Sequence, residues 1–237
     1  TVSSGGEALG LLVETHEGRP TKVEGNPAHP ASLGATDGHA QSMILDLYDP
    51  DRSRGPARAV ASSEMGKFTE ASFEELDVAL DGVAEEANAD GGAGLRVLVQ
   101  PSQSLSLQHA ASAFRSRFPK AKVYAYQAAG AENIAAGARA AYGQAVQPVV
   151  NYDRARTVVA LDADFLGSEP GSVLAARQFA KGRRVTSPGD GMSRLYVVEP
   201  GYSITGAAAD HRLRLKAGAV GAYAKALAAE LARKGVD

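Results

Sequence analysis

The chain has 237 residues, 44% hydrophobic and 22% charged, with a formal net charge of −2 and no cysteine. That is ordinary globular material, enough for one large or two small domains. It excludes disulfides, thiolate-held zinc and cysteine nucleophiles, and so small a charge gives no chain-wide surface for nucleic acid or another polyanion.

No stretch approaches the ~20 apolar residues of a membrane helix. The opening residues are Gly- and Ser-rich without a basic and apolar leader, and the abrupt start and finish lead us to expect a piece of a longer protein. Leu9 to Glu14 and Thr21 to Glu24 read as two short strands, with Gly18 free to take positive φ in the turn between them. The stretch from Asn26 to Gly38 is Pro- and Gly-rich and reads as an irregular loop. Ala40 to Tyr48 reads as one or two helical turns, and Asp49 to Met65 as a connector. Ser72 and Glu75 form a capping-box pattern, after which Phe73, Leu76, Ala79, Leu80 and Val83 recur at helical spacing.

Strand and helix then alternate. Val97–Val99, Val123–Tyr126, Thr157–Leu161 and Leu195–Val198 read as strands. Ser104–Phe118, Ala131–Tyr142, Gly171–Lys181 and Ala219–Lys234 read as helices, the last with Lys and Arg in its final turn, which suits the helix dipole. This predicts an α/β fold: a mainly parallel Rossmann-like sheet with helices on both faces and right-handed crossovers, preceded by a small N-terminal hairpin and loop region. The expected division is 1–65 for the hairpin and loop region and 66–237 for the α/β domain.

Ligands of such sheets bind beyond the carboxyl ends of the strands. Three strand ends therefore bear on function: Gln100-Pro101-Ser102, Asp162-Ala163-Asp164 and Glu199-Pro200-Gly201. Neither G-x-G-x-x-G nor G-x-x-x-x-G-K-[ST] occurs. Gly91 to Gly94 precedes a strand, the wrong side for a nucleotide loop, and reads as a connection. Ser102, Ser104 and Ser106 lack the G-x-S-x-G elbow of serine hydrolases and read as loop and cap residues. The five histidines form no H-x-x-x-H or H-E-x-x-H pair. His29 and His39 bracket Asp37, where a His/Asp metal site is conceivable, although packing of His29 in the Pro-rich loop is the better reading. Asp162 and Asp164 read as capping residues before a paired-carboxylate catalyst. No C-x-x-C-H exists for covalent haem. A residue-level reading thus assigns no catalytic group and no metal ligand; if a nucleotide binds, Gln100, Ser102, Asp162 and Glu199 are the candidates.

Several runs taken together resemble molybdopterin-dependent oxidoreductases. Gly18-Arg19-Pro20-Thr21-Lys22-Val23-Glu24-Gly25-Asn26-Pro27-Ala28-His29-Pro30 matches the family's G-R-x-x-x-V-x-G-N-P-x-H-P hairpin. Leu47-Tyr48-Asp49-Pro50-Asp51-Arg52 matches its L-Y-x-P-D-R, and Gly66 to Leu76 its G-x-F-x-x-I-S-W-D-E-A helix start. Asp37 stands about where the family carries a cluster-ligating cysteine. Glu199 matches the acidic residue that helps hold the guanine nucleotide of the pterin cofactor. Gly201 replaces the family arginine, and Lys216-Ala217-Gly218-Ala219 lacks its P-G-T-D.

The runs Leu161 to Leu166, Arg194 to Glu199 and Thr205 to Leu213 look like one branch, the B subunit of alternative complex III, a bacterial quinol:electron acceptor oxidoreductase. The resemblance implies a scaffold domain that holds no pterin. Beside it would lie a ferredoxin-like domain of the same subunit carrying 4Fe-4S and 3Fe-4S clusters, with multihaem cytochrome and membrane quinol-binding subunits as partners. The assembly would sit on the periplasmic side of the inner membrane. A cluster needs thiolate ligands, which this chain cannot supply. The first rival reading is a fragment of an active molybdopterin (bis-guanine-dinucleotide) oxidoreductase; the second is a nucleotide-binding module of another kind.

Overall fold

The computed structural model describes residues 2–4, 7–60, 66–102, 104–128, 132–146 and 148–236. The chain packs as two compact units, one made of 1–41 and 133–237, the other of 42–132. The boundary expected between residues 65 and 66 falls inside the second unit. The end of the expected connector, residues 61–65, lies outside the described residues, as does Ala131, the expected first residue of a helix.

The first unit opens with β1 (Val2–Ser4) and β2 (Glu7–Leu9), paired antiparallel, then the hairpin of β3 (Leu11–His16) and β4 (Arg19–Gly25). Glu17 and Gly18 both take positive φ, 50° and 78°, the conformation that a two-residue hairpin turn requires. The register shifts between Glu14 and Thr15, so the ladder carries an irregularity there.

The loop that follows is closed by its own backbone. The Asn26 carbonyl accepts from the His29 and Gly34 amides, and its side chain accepts from the Ala28 amide at 2.9 Å. Ser32, fully buried, donates to the Gly10 carbonyl at 3.2 Å. Two glycines are needed for close approach. A Cβ on Gly10 would lie 2.3 Å from the His29 ring, and one on Gly25 would lie 2.4 Å from the backbone of Gly34 and Ala35. Helix α1 (Gly38–Asp46) then begins.

The second unit contains β5 (Ala57–Ala59) paired antiparallel with β6 (Phe68–Glu70). β5 lies in the stretch expected to be a plain connector; three residues are too few to show a period of two. Helix α2 (Phe73–Asp90) starts at the expected capping box, with the Glu75 amide donating to Ser72 Oγ at 3.2 Å and the Ser72 amide to Glu75 Oε2 at 2.8 Å. It ends on Gly91 in the left-handed region. Strands β7 (Arg96–Val99) and β8 (Lys122–Ala125) pair in parallel and are joined through α3 (Leu105–Arg117).

Helix α4 (Glu132–Tyr142) follows, and the rest of the first unit is a parallel α/β array: β9 (Thr157–Leu161), α5 (Ser172–Gly182), β10 (Arg194–Glu199), α6 (Ile204–Ala207), β11 (His211–Arg214) and α7 (Ala217–Arg233). The sheet order is β11-β10-β9. The fold is therefore mixed α/β with parallel sheets, as the strand–helix alternation predicts. Among the described residues the parallel strands form two short sheets, one in each unit, where alternation alone suggested one sheet.

β10 is the middle strand, and its Leu195, Val197 and Val198 are all buried, while Tyr196 between them is exposed. The core joins Leu195 and Val197 to Ala160, Phe165, Ala175 and Phe179, with Tyr152 and Leu166 packed against them. Among the described residues no helix is long and apolar enough to cross a membrane.

Candidate functional site

Parallel strands aim their carboxyl ends at one edge of the sheet, and the loops after β9 and β10 form that edge in the first unit. Asp162 follows β9 directly. Its amide continues the ladder to the Val198 carbonyl at 2.8 Å, and its φ of 53° places it in the left-handed region, where aspartate is favoured among residues with a Cβ. It serves as the turn residue.

Asp164 lies two residues on and works as a tie between the two loops. Its Oδ1 accepts from the Thr205 amide at 2.9 Å and the Thr205 hydroxyl at 2.8 Å, and its Oδ2 accepts from the Ser168 amide at 3.0 Å. The Thr205 hydroxyl, fully buried, in turn accepts from the Leu166 amide at 3.0 Å. Burial pushes the Asp164 carboxyl up, but the Thr205 and Ser168 donors outweigh it and hold its pKa below the ordinary aspartate value. The capping reading of this residue is the one its geometry supports.

Glu169 faces the same loop and accepts from the Asp164 amide at 3.0 Å. Its pKa is raised, by burial first and by the Asp164 charge as well. A raised carboxyl pKa means that ionisation costs the folded state stability as pH rises through it. Glu169→Gln keeps the acceptor and removes the charge. It is expected to raise the melting temperature at pH 7 and to leave it unchanged below the ordinary glutamate pKa, which thermal melts at the two pH values would check.

Glu199 ends β10 and is 4% exposed. Its Oε2 accepts from the Ser203 hydroxyl at 2.5 Å, and its Oε1 accepts from Arg212 Nε at 2.5 Å. Arg212 also donates to the Gly201 carbonyl, and its guanidinium lies 4.6 Å from the centre of the Tyr202 ring. Burial drives the Glu199 carboxyl up; the Ser203 and Arg212 donors overcome it, so its pKa lies below the ordinary glutamate value. A Cβ on Gly206 would fall 1.9 Å from Glu199 Oε1. Gly206→Ala is accordingly expected to destabilise the unit by about 2 kcal/mol, since it must push a buried, hydrogen-bonded carboxylate aside; chemical denaturation would measure it.

A second ion pair, partly open to solvent, lies at the opposite edge, before β10 and β11. Arg183 donates two parallel hydrogen bonds to Asp210, at 2.7 and 2.8 Å, and a third to the Ser193 carbonyl at 2.8 Å. Asp210 also accepts from the Leu195 amide at 2.7 Å. The guanidinium and that amide hold the Asp210 carboxyl far below the usual carboxylate range.

The remaining candidates are placed as follows. Gln100 and Ser102 follow β7 in the second unit, where both are exposed and Ser102 Oγ accepts from the Ser104 amide at 3.1 Å. The four nucleotide candidates are thus divided between the units: Asp162 and Glu199 share a sheet edge in one, Gln100 and Ser102 a loop in the other. Asp37 caps α1, its Oδ1 accepting from the Ala40 amide at 2.7 Å. His29 accepts from the Ala31 amide at 3.3 Å and lies against Gly10. Among the described residues no group of three or more His, Cys, Asp or Glu side chains could hold a metal ion. An open cavity of about 700 Å³ in the first unit is lined by Asp37, Leu166, Val173, Arg177 and Ile204 among others.

These residues do not fit the groups that the sequence resemblance implies. The position of the cluster cysteine holds a carboxylate engaged in capping a helix, in a chain without thiols. The carboxylate at the guanine position already has both oxygens bonded to the chain's own donors. The residues that close this site, Ser203 and Arg212, were not among those singled out from sequence. Ser203 carried a readable signal, an N-cap three residues before Gly206, whose amide donates to it at 2.9 Å. Arg212 carried none, because its contact with Glu199 exists only through the pairing of β10 with β11.

No family model matches the chain. Over 103 residues it is 29% identical to the probable oxidoreductase YyaE of Bacillus subtilis (strain 168), covering 44% of this chain and 13% of that protein. Over 83 residues it is 34% identical to the menaquinone reductase, molybdopterin-binding-like subunit, of Nitratidesulfovibrio vulgaris (strain Hildenborough), covering 35% of this chain and 12% of that protein. Acetylene hydratase from Pelobacter acetylenicus shares the fold, with a TM-score of 0.59 at 19% identity over 87% of this chain and 28% of that one. The matched regions span about an eighth of the length of the two sequence relatives. At this coarse level the likeness is to one domain of molybdopterin-related oxidoreductases.

Proposed function

We propose that the chain is a cofactor-free, molybdopterin-oxidoreductase-like scaffold domain of a respiratory quinol:electron acceptor oxidoreductase of the alternative complex III type. One observation carries this reading: at the strand ends where such a fold takes its ligand, Asp164 and Glu199 are consumed by Thr205, Ser168, Ser203 and Arg212. A carboxylate that serves a ligand turns an oxygen toward it; in these two, both oxygens bond donors that join the loops. The menaquinone reductase relative supports the reading, since its name joins a quinone-linked enzyme to a subunit called molybdopterin-binding-like.

In this proposal electrons pass through iron-sulfur clusters of a ferredoxin-like domain in the same subunit and through multihaem cytochrome subunits. A membrane quinol-binding subunit supplies them on the periplasmic side. The role of this domain is to hold those parts in place, and it performs no chemistry itself. The test is isolation of the full-length protein from its native membranes through an affinity tag. The proposal expects multihaem cytochromes in stoichiometric amount and quinol-dependent reduction of the preparation. A full-length protein recovered alone, with no haem subunit at any detergent strength that preserves other respiratory complexes, would contradict it.

A further inference from the structure

We propose that the chain fills its own guanine position: Arg212 and Ser203 stand where the hydrogen-bonding edge of a guanine base would lie against Glu199, and so exclude guanine nucleotides from this edge of the sheet. The inference rests on the reading of the chain as a molybdopterin-oxidoreductase-like domain, though not on its membership of a respiratory complex.

The argument is one of matching donors. Guanine presents two adjacent N–H groups in a plane, and a carboxylate accepts both, one on each oxygen. Here Arg212 Nε–H meets Glu199 Oε1 and the Ser203 O–H meets Oε2, both at 2.5 Å. A guanidinium carries the same planar array of N–H donors and adds a positive charge, so it is the stronger partner for a carboxylate. It is also held independently of Glu199. Its terminal nitrogen donates to the Gly201 carbonyl, the Tyr202 ring lies against it, and Arg212 belongs to a strand paired in register with Val197 of β10. Gly206 closes the opposite side, with no room there even for a methyl group beside Glu199 Oε1. For a base to enter, the cation would have to leave a carboxylate that is 4% exposed, and a neutral ligand cannot replace its charge.

The proposal makes the chain's own arginine the occupant, so deleting that arginine opens a place of known chemistry. The test uses the full-length protein, with GMP, AMP and methylguanidinium as probes, read by equilibrium dialysis and thermal melts. Wild type is expected to bind neither nucleotide and to melt at the same temperature with or without them. Arg212→Ala is expected to melt lower, and to recover by about 3 °C or more with saturating GMP or with millimolar methylguanidinium, while AMP has no effect. Adding Glu199→Gln to that variant is expected to abolish both responses, because the acceptor charge is gone. Should Arg212→Ala fail to fold unaided, refolding in the presence of GMP or methylguanidinium but not AMP supports the proposal equally. Saturable GMP binding by wild type overturns it, as does an Arg212→Ala protein that neither GMP nor methylguanidinium restores. Loss of the respiratory partners in a native purification would leave these outcomes unchanged, so the two readings fail separately.

Discussion

Truncating Phe165 to alanine is expected to cost about 4 kcal/mol and to lower the melting temperature by roughly 10 °C. Phe165 is 4% exposed, its ring stacks on Tyr152 at 4.3 Å between centroids, and it meets Phe179 edge-on at 5.7 Å. These two ring contacts add to the area that the side chain buries among Ala160, Leu195 and Val197. The position has a second importance. Phe165 lies between Asp164 and Leu166, which anchor the β9 loop to Thr205. Emptying its pocket should therefore loosen the carboxyl edge of the sheet as well as the core. Phe165→Leu, which refills most of the volume, is expected to recover at least half of the loss. Urea denaturation of the three proteins checks this; a Phe165→Ala midpoint equal to wild type would mean that this core is not what holds the unit together.

The second large effect is expected at Asp210. Asp210→Ala removes a bidentate partner of Arg183 and the acceptor of the Leu195 amide, and leaves a partly buried guanidinium without its counter-charge. The pair keeps one edge in water, which moderates the loss to about 2 kcal/mol at neutral pH. The pH dependence has a definite sign. The folded pKa of Asp210 is depressed by Arg183, so its contribution is fully present above the ordinary aspartate pKa and is lost as pH falls below it. Glu199 and Asp164 are depressed as well and act in the same direction. Wild type should thus lose stability on acidification, and the gap between wild type and Asp210→Ala should narrow toward pH 3. A gap independent of pH would show that the charge of Asp210 contributes nothing.

Local chemistry was legible in the chain. The capping box at Ser72 and Glu75, the positive φ at Gly18 and the strand Thr157–Leu161 depend on residues within four positions of each other. The parallel architecture followed from apolar strands alternating with helices. What was not legible depends on distance along the chain. Arg183 and Asp210 are 27 residues apart and meet because β10 and β11 start at the same edge. Thr205 and Asp164 are 41 apart and meet across the ends of β9 and β10. The division of the parallel ladder into two short sheets likewise cannot be read from the order of elements, because alternation fixes the direction of strands and leaves their neighbours open.

The site shows the same limit in sharper form. Glu199 was identifiable by its place after a strand and by resemblance, and Asp162 and Asp164 by position. Their roles came from their partners. Asp162 became a turn residue through its backbone conformation, Asp164 a tie between loops, and Glu199 one half of an ion pair with Arg212. Asp37, which the resemblance set at the place of a cluster ligand, proved to be a helix cap, a use for which aspartate is well suited and cysteine is not.

The most direct measurement is the molybdenum, tungsten and pterin content of the full-length protein purified from its native source, by elemental analysis together with fluorescence of the oxidised pterin. A domain whose strand-end carboxylates serve only their own loops predicts metal and pterin far below one per chain in a preparation of the intact protein. One molybdenum or tungsten and a stoichiometric pterin dinucleotide per chain would contradict it.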